Sequence, residues 1–224
     1  MQGSKINHYL VANCLNIIDE FNMLYKEHNK DDLKNIADEK FNEMDITVRI
    51  GYPFRQSAHY TAGESSRAKK ENKIHHDIYV EQNDFKIEVK YLKNWTSTSN
   101  TRSVSKMWKE FQQDFDWLMD EIDAGNKYKV AFVIGWFNCV KSFSQLIQLG
   151  QGRGAYPMAN ENRVQYFPFL GRPHVPVRTA DLYYDYKERA YKELSIAPIR
   201  AKSKEYNCIF LGNENDSFHF VIYY

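Results

Sequence analysis

Little in this sequence marks it for export or for a membrane. The opening residues, MQGSKINHYL, lack the basic stretch, long apolar core and small-residue cleavage site of a secretory signal, and no later apolar run reaches membrane-spanning length. A cytoplasmic protein with no membrane partner is expected. Cysteine is scarce: Cys14, Cys139 and Cys208 are odd in number, far apart and set among apolar residues, which suits buried free thiols and argues against a disulfide framework. Internal repeats and low-complexity tracts are also lacking, so solenoid arrays fall away. A large charge excess is missing too, since the net charge is +1, and bulk charge alone points to no polyanionic partner.

What the chain does have is material for a core. Of its 224 residues 43% are hydrophobic and 15% aromatic, enough for one well-packed domain with additions. Charge is unevenly placed. Val89 to Lys109 contains no acidic residue but carries Lys90, Lys93, Arg102, Lys106 and Lys109, and Ser65 to Lys73 adds Arg67, Lys69, Lys70 and Lys73 against Glu71 alone. Acidic residues crowd from Asp114 to Asp123, so a near-neutral total conceals basic stretches of the kind nucleic-acid enzymes present.

Apolar residues recur at helical spacing over 5–28 and again over 31–44, with Asp31 or Asp32 as the N-cap of the second helix. Ile46 to Phe54 alternates and stops at Pro53, which predicts a strand, followed by a polar loop over 55–72. Lys73 to Glu81 and Phe85 to Leu92 read as a β-hairpin around Gln82-Asn83-Asp84. Ser103 to Ala124 carries one apolar stripe and ends at Gly125, predicting a helix, and Tyr128 to Phe137 reads as a strand buried on both faces. Beyond it a short helix over 140–149, an irregular Gly/Pro-rich stretch over 150–177, a helix over 181–194 and a terminal hairpin (206–211 and 217–223) complete the expectation. That hairpin is expected either to bury itself on the core or to meet a second subunit.

The first hairpin carries the chemistry. A two-residue turn at Asn83 and Asp84, or a four-residue turn about the same centre, pairs Asp77 with Lys90 and Tyr79 with Glu88, so that all four project from one face and the carboxylates are diagonal neighbours. Two such carboxylates repel unless a proton or cation lies between them, and hard oxygen ligands suit Mg²⁺ or Mn²⁺. Lys90 can orient or help deprotonate a water, or stabilise charge developing on a phosphate.

His76-Asp77, ten residues, then Glu88-Val89-Lys90 resembles the bipartite motif of the PD-(D/E)xK nuclease superfamily, with His76 in place of the usual proline. The order helix, three strands, helix, strand over roughly 5–137 is similar to that family's αβββαβ core. The resemblance implies an α/β, restriction-endonuclease-like fold with a mixed central sheet over residues 1–139, and an α+β extension over 140–224 packed on it. It implies that Asp77, Glu88 and Lys90 are catalytic and that Asp77, Glu88 and the Val89 carbonyl bind Mg²⁺ or Mn²⁺. It also implies a glutamate from an early helix, for which Glu20, Glu39 and Glu43 are candidates and Glu39 is preferred because its helix leads into the first expected strand. The following helix offers Lys106, Lys109 and Gln113.

The function so implied is a Mg²⁺-dependent endonuclease acting on DNA rather than RNA, a restriction or phage-defence effector, alone, as a homodimer or as one subunit of a defence system. Against it stand a catalytically silent nuclease-fold module that binds nucleic acid or a protein, and a structural subunit whose hairpin charges are surface pairs. Expected nucleic-acid contacts are Lys93, Trp95, Arg102, Lys106, Lys109 and Arg153. Trp95 lies in a polar run and can stack on bases, whereas Trp108, Trp117 and Trp136 sit on apolar stripes and belong to a core. Gly150-Gln151-Gly152-Arg153-Gly154 lacks the Lys-Ser/Thr ending of a P-loop, and with Arg163, Arg172, His174 and Arg178 reads as a contact loop or plain surface. His75 and His76 face opposite ways in a strand and cannot easily share a metal, and His59 and Glu64 read as loop residues near the site.

Overall fold

The computed structural model describes residues 5–61, 76–93, 106–140, 143–152, 154, 156–173, 177–186, 195–201 and 204–224. Helix α1 (Ile6–Tyr25) buries Ile6, Leu10, Cys14, Ile17, Ile18 and Phe21, a stripe at helical spacing. Helix α2 (Lys30–Lys40) is capped by Asn29, whose side chain accepts from the backbone N–H groups of Asp31 and Asp32, both at 2.9 Å. Neither aspartate is the cap; both lie in the first turn, where their charge meets the positive end of the helix dipole.

The strand expected over 46–54 is instead helix α3 (Glu43–Gly51). A reciprocal pair starts it: Asn42 accepts from the Asp45 N–H and Asp45 accepts from the Asn42 N–H. The apparent alternation misled because Val48, which a strand would place beside Ile46 and Ile50, is 41% exposed while Ile46, Thr47 and Ile50 are buried. A 3₁₀ turn over Tyr52–Ser57 follows, with Arg55 at φ 49°. The stretch expected as loop then contributes a strand, β1 (Ala58–Tyr60).

Strands β2 (Ile78–Val80) and β3 (Phe85–Leu92) form the predicted hairpin, joined by the four residues 81–84 with Asp84 left-handed (φ 56°, ψ 40°). Helix α4 (Lys106–Glu121) and a π turn (Ile122–Asn126) that reverses at Gly125 (φ 94°) cross over to β4 (Val130–Phe137), which lies parallel to β3 and is buried along all eight residues. A short helix α5 (Phe143–Leu146), a small hairpin of β5 (Gly150–Gln151) and β6 (Met158–Ala159), helix α6 (Glu161–Val164) and a second pair, β7 (Leu170–Gly171) with β8 (Tyr183–Tyr184), occupy the next stretch. The helix expected over 181–194 is not formed in its described part, where Tyr183 and Tyr184 are strand; 187–194 lie outside the described residues.

The chain ends in β9 (Ser195–Ala201), β10 (Lys204–Leu211) and β11 (Phe218–Tyr223). These do not sit on the core as an appendage. The seven-stranded mixed sheet runs β1-β2-β3-β4-β11-β10-β9, with β11 antiparallel to β4, so the sheet continues unbroken across the expected boundary at residue 140. The terminal hairpin therefore completes the core, with every residue of β11 buried. Gly135 permits this pairing, since a Cβ there would lie 2.8 Å from the rings of Phe218 and Phe220.

The protein is thus α/β, with a hydrophobic layer on each sheet face. One unites α1, α2 and α3 with Ile78, Val80, Ile87, Val89 and Tyr91; the other unites α4 and residues from 140 to 184 with Leu92, Phe132, Ile134 and Trp136. Among the described residues no helix is long and apolar enough to cross a membrane. All three cysteines are free and buried, as expected.

Candidate active site

The hairpin register differs from the expected one by two residues. Ile78 pairs with Ile87, Tyr79 with Lys86 and Val80 with Phe85, because the turn spans Glu81 to Asp84 rather than centring between Asn83 and Asp84. One step further along the ladder sets Asp77 opposite Glu88, where side chains are closer than on the diagonal. A shift of two preserves the faces, so Asp77, Tyr79, Glu88 and Lys90 still share one side, and that side looks toward α4.

β2 begins at Ile78, and beyond it β3 has lost its neighbour. Two carboxylates take over the acceptor role. Val89 N–H donates to Asp77 Oδ2 at 2.9 Å, and Tyr91 N–H donates to Glu43 Oε2 at 3.4 Å. Ile87 accepts from the Asp77 N–H, so the odd-numbered backbone groups of β3 face this open edge, and the Val89 carbonyl faces it as well.

Glu88 is 7% exposed and lies on the α4 side of β3. Lys90 Nζ donates to Glu88 Oε1 at 3.0 Å and stands 3.6 Å from Asp114 Oδ2, an ion pair just beyond hydrogen-bond length that leaves this buried oxygen without a hydrogen-bond partner. Burial, with the charges of Asp77 and Asp114, pushes the Glu88 carboxyl up to about 8 despite the pull of Lys90. Burial likewise raises Asp114 to about 7, assisted by Asp77, Glu43 and Glu110. Burial alone would lower the Lys90 ammonium, but Glu88, Asp114 and Glu43 outweigh it and hold it above its ordinary value. Lys90 is therefore a fixed cation. Three carboxyls, Glu43, Glu88 and Asp114, act on it, and Asp77 acts in turn on Glu88 and Asp114.

These are hard oxygen donors, of a chemistry that fits Mg²⁺ or Mn²⁺ rather than a soft metal. Among the described residues, however, no three His, Cys, Asp or Glu side chains stand close enough together to hold an ion as they are placed. Rotation of side chains or waters would have to complete such a shell.

Asp77, Glu88 and Lys90 are brought together as expected, while the preferred helix glutamate is not. Glu39 is exposed near the end of α2, and it is Glu43, at the start of α3, whose carboxylate reaches β3. The preference for Glu39 depended on a helix running directly into a strand; the Asn42–Asp45 cap inserts α3 instead. Glu20 pairs with Arg49. Asp114 was overlooked, although it sits between Phe111 and Phe115 and so on the inward side of α4.

Of the expected nucleic-acid contacts, Trp95, Arg102 and Arg153 lie outside the described residues. Lys106 opens α4, and Lys109 is exposed on it with Gln113 four residues on. Lys93 donates to the Asp38 carbonyl at 3.3 Å. The glycine-rich stretch leads into the β5–β6 hairpin, not into a helix, which removes the P-loop reading. Arg163 donates to the Gln148 carbonyl and stacks over Trp108, Arg172 pairs with Glu161, and Arg178 donates to the Tyr156 carbonyl, so these arginines tie the stretch to itself. His59 meets Glu81 at 3.4 Å and stacks near Tyr79, and His76 also neighbours that ring; Glu64, His75 and His174 lie outside the described residues. Trp117 and Trp136 are buried and Trp108 packs against the core, as expected. Comparison of the chain with known protein families, with curated proteins and with solved structures finds no match.

Proposed function

We propose that this protein is a divalent-metal-dependent nuclease of the PD-(D/E)xK type, with a restriction-endonuclease-like αβββαβ core, acting on DNA in the cytoplasm as a restriction or phage-defence effector. The observation that carries the reading is the placement of Asp77 opposite Glu88 at the open edge of β3, with Lys90 fixed as a cation beside them. Glu88 and Asp114 are carboxyls taken largely out of water beside one cation, which costs stability unless they serve a function.

Asp77, Glu88 and the Val89 carbonyl would hold the ion. When bound, Mg²⁺ or Mn²⁺ supplies Lewis-acid polarisation of a phosphodiester and a water of lowered pKa. Asp77 is anchored by the Val89 N–H, which fixes its orientation before any substrate arrives. Because its neighbours keep Lys90 charged, Lys90 acts by holding the phosphate and countering developing negative charge, not as a base. Asp114 and Glu88 hold that ammonium in place.

The missing three-ligand convergence favours a second reading, a silent module that binds nucleic acid. Incubating the protein with supercoiled plasmid in Mg²⁺, in Mn²⁺ and in EDTA decides between them. Metal-dependent nicking that disappears in Glu88→Gln supports the nuclease. Salt-sensitive binding without cleavage in either metal overturns it in favour of the binding module.

A further inference from the structure

On the same sheet face, toward the carboxyl ends of β3 and β4, lies a cavity of about 840 Å³. Its position follows from the register. Lys90 is level with Ile134 and Leu92 with Trp136, so Asn138, in the cavity lining, is about 13 Å along the strand from Lys90. The lining is aromatic and polar together: Phe143, Tyr156, Tyr183, Tyr184 and Tyr186 with Asn138 and Thr179, while Lys30 and Glu214 bring one charge of each sign.

Two features distinguish it from a packing void. The first is a near-parallel set of rings. Phe169 and Phe210 stack at 4.7 Å and 5°, and Trp136, Tyr184 and His219 lie within 30° of Phe210 at centroid separations of about 6 Å. Tyr184 is the member of this set that lines the cavity, and a flat ligand laid on it continues the series. The second is unmet hydrogen bonding. Thr179 is 2% exposed, and its hydroxyl has no partner among the described residues. The Tyr184 hydroxyl and the Trp136 indole N–H are near each other and buried, yet neither makes a hydrogen bond of normal geometry. Buried polar groups left so are uncommon, and a small turn of the Thr179 or Tyr184 side chain would offer its hydroxyl to a molecule in the cavity.

We infer that this cavity is a nucleobase site: a planar ring stacks against the tyrosines, and its polar edge meets Asn138 and, once their side chains turn toward the cavity, the hydroxyls of Thr179 and Tyr184. The volume holds a whole nucleotide. The choice of a nucleobase over another flat ring rests on the nuclease reading of the neighbouring carboxylates. The base can come from a substrate strand, turned out of its stack, or from a free nucleotide acting as an effector.

The test is ligand-observed NMR and calorimetry with each of the four deoxynucleoside monophosphates in EDTA, with no cleavage involved. At least one is expected to bind, Ala180→Trp at the exposed cavity wall is expected to weaken it at least ~10-fold, and Tyr184→Phe by ~5–10-fold through loss of a hydroxyl contact. Both variants must keep the wild-type melting transition. Wild-type affinity in Glu88→Gln separates this site from the carboxylate cluster. If a short single-stranded oligonucleotide also loses affinity in Ala180→Trp, the base is a strand's; if only the mononucleotide does, it is an effector's. Absence of binding by all four monophosphates, or binding that Ala180→Trp leaves unchanged, overturns the inference. Should nucleotides bind as expected while plasmid stays intact in both metals, the nuclease reading falls and the pocket stands.

Discussion

Replacing Glu88 by Gln is expected to stabilise the metal-free protein at alkaline pH while removing the proposed cleavage. The carboxyl is raised from 4.5 to about 8 by burial and by the charges of Asp77 and Asp114. A folded-state pKa above the unfolded one means that the folded form binds the proton more tightly. That contribution is complete below pH 4.5 and is withdrawn as pH climbs toward 8, at up to ~1.4 kcal/mol per pH unit. Between pH 5 and pH 8 the wild type therefore loses up to ~4 kcal/mol that a non-titrating Gln retains. For a chain of this size each kcal/mol moves the melting temperature by ~2–4 °C, so the two proteins should diverge by on the order of 10 °C across that window. Circular-dichroism melts in EDTA at half-unit pH steps measure it. Adding millimolar Mg²⁺ at pH 8 should restore the wild type and leave Glu88→Gln unmoved, because an ion that binds only the folded site stabilises it by mass action. Parallel melting curves for the two proteins from pH 5 to 8 would refute the claim that Glu88 is a strained, proton-holding carboxyl.

Asp77 invites a paired substitution. Asp77→Asn keeps an oxygen for the Val89 N–H and is expected to fold within ~1 kcal/mol of wild type, whereas Asp77→Ala leaves that N–H unmatched and costs about 1–3 kcal/mol in urea denaturation. Both should lose cleavage, and equal stability of the two would show that the 2.9 Å contact contributes nothing. Lys90→Met removes the cation between Glu88 and Asp114; cleavage should fall ~10²–10³-fold, and stability at pH 8 should drop by about 2–4 kcal/mol, less of it at pH 5 where both carboxyls are protonated. A pH-independent loss would count against the carboxyl cluster.

Where periodicity and turn chemistry agreed, the sequence was a sufficient guide. The stripe of α4, the Gly125 reversal and the apolar run of β4 all appear where the side-chain pattern placed them. It failed where two periods fit the same residues. Ile46, Val48 and Ile50 alternate as in a strand, yet the Asn42–Asp45 pair decides for a helix, and an N-terminal cap of Asn with Asp three residues on was visible in the sequence all along. β1 is three residues long and polar on both flanks, too short for any pattern to emerge. The place of the terminal hairpin was out of reach for another reason. Alternation reports which face of a strand is apolar but not which strand it will meet, and only the tertiary packing sets β11 against β4.

The shift in hairpin register teaches most about the site, because it changed partners without changing faces. Any even shift leaves Asp77, Glu88 and Lys90 on the side of α4, so the chemical grouping survives an error in turn position, while an odd shift would have sent Asp77 to the opposite layer. What an even shift does decide is where β2 ends. Starting at Ile78, it leaves the edge of β3 open at Val89 and Tyr91, and side chains must satisfy the backbone there. Asp77 and Glu43 do so from two different elements, which brings the first helix layer to the same edge as the hairpin. The contact that draws an early-helix glutamate to the site is thus a backbone N–H of β3 in need of an acceptor. It follows that Glu43→Gln, which can still accept from Tyr91, should fold like the wild type but lower Lys90's proton affinity and weaken Mg²⁺ binding. A Mg²⁺ titration that cannot tell Glu43→Gln from wild type would confine Glu43 to a purely structural part.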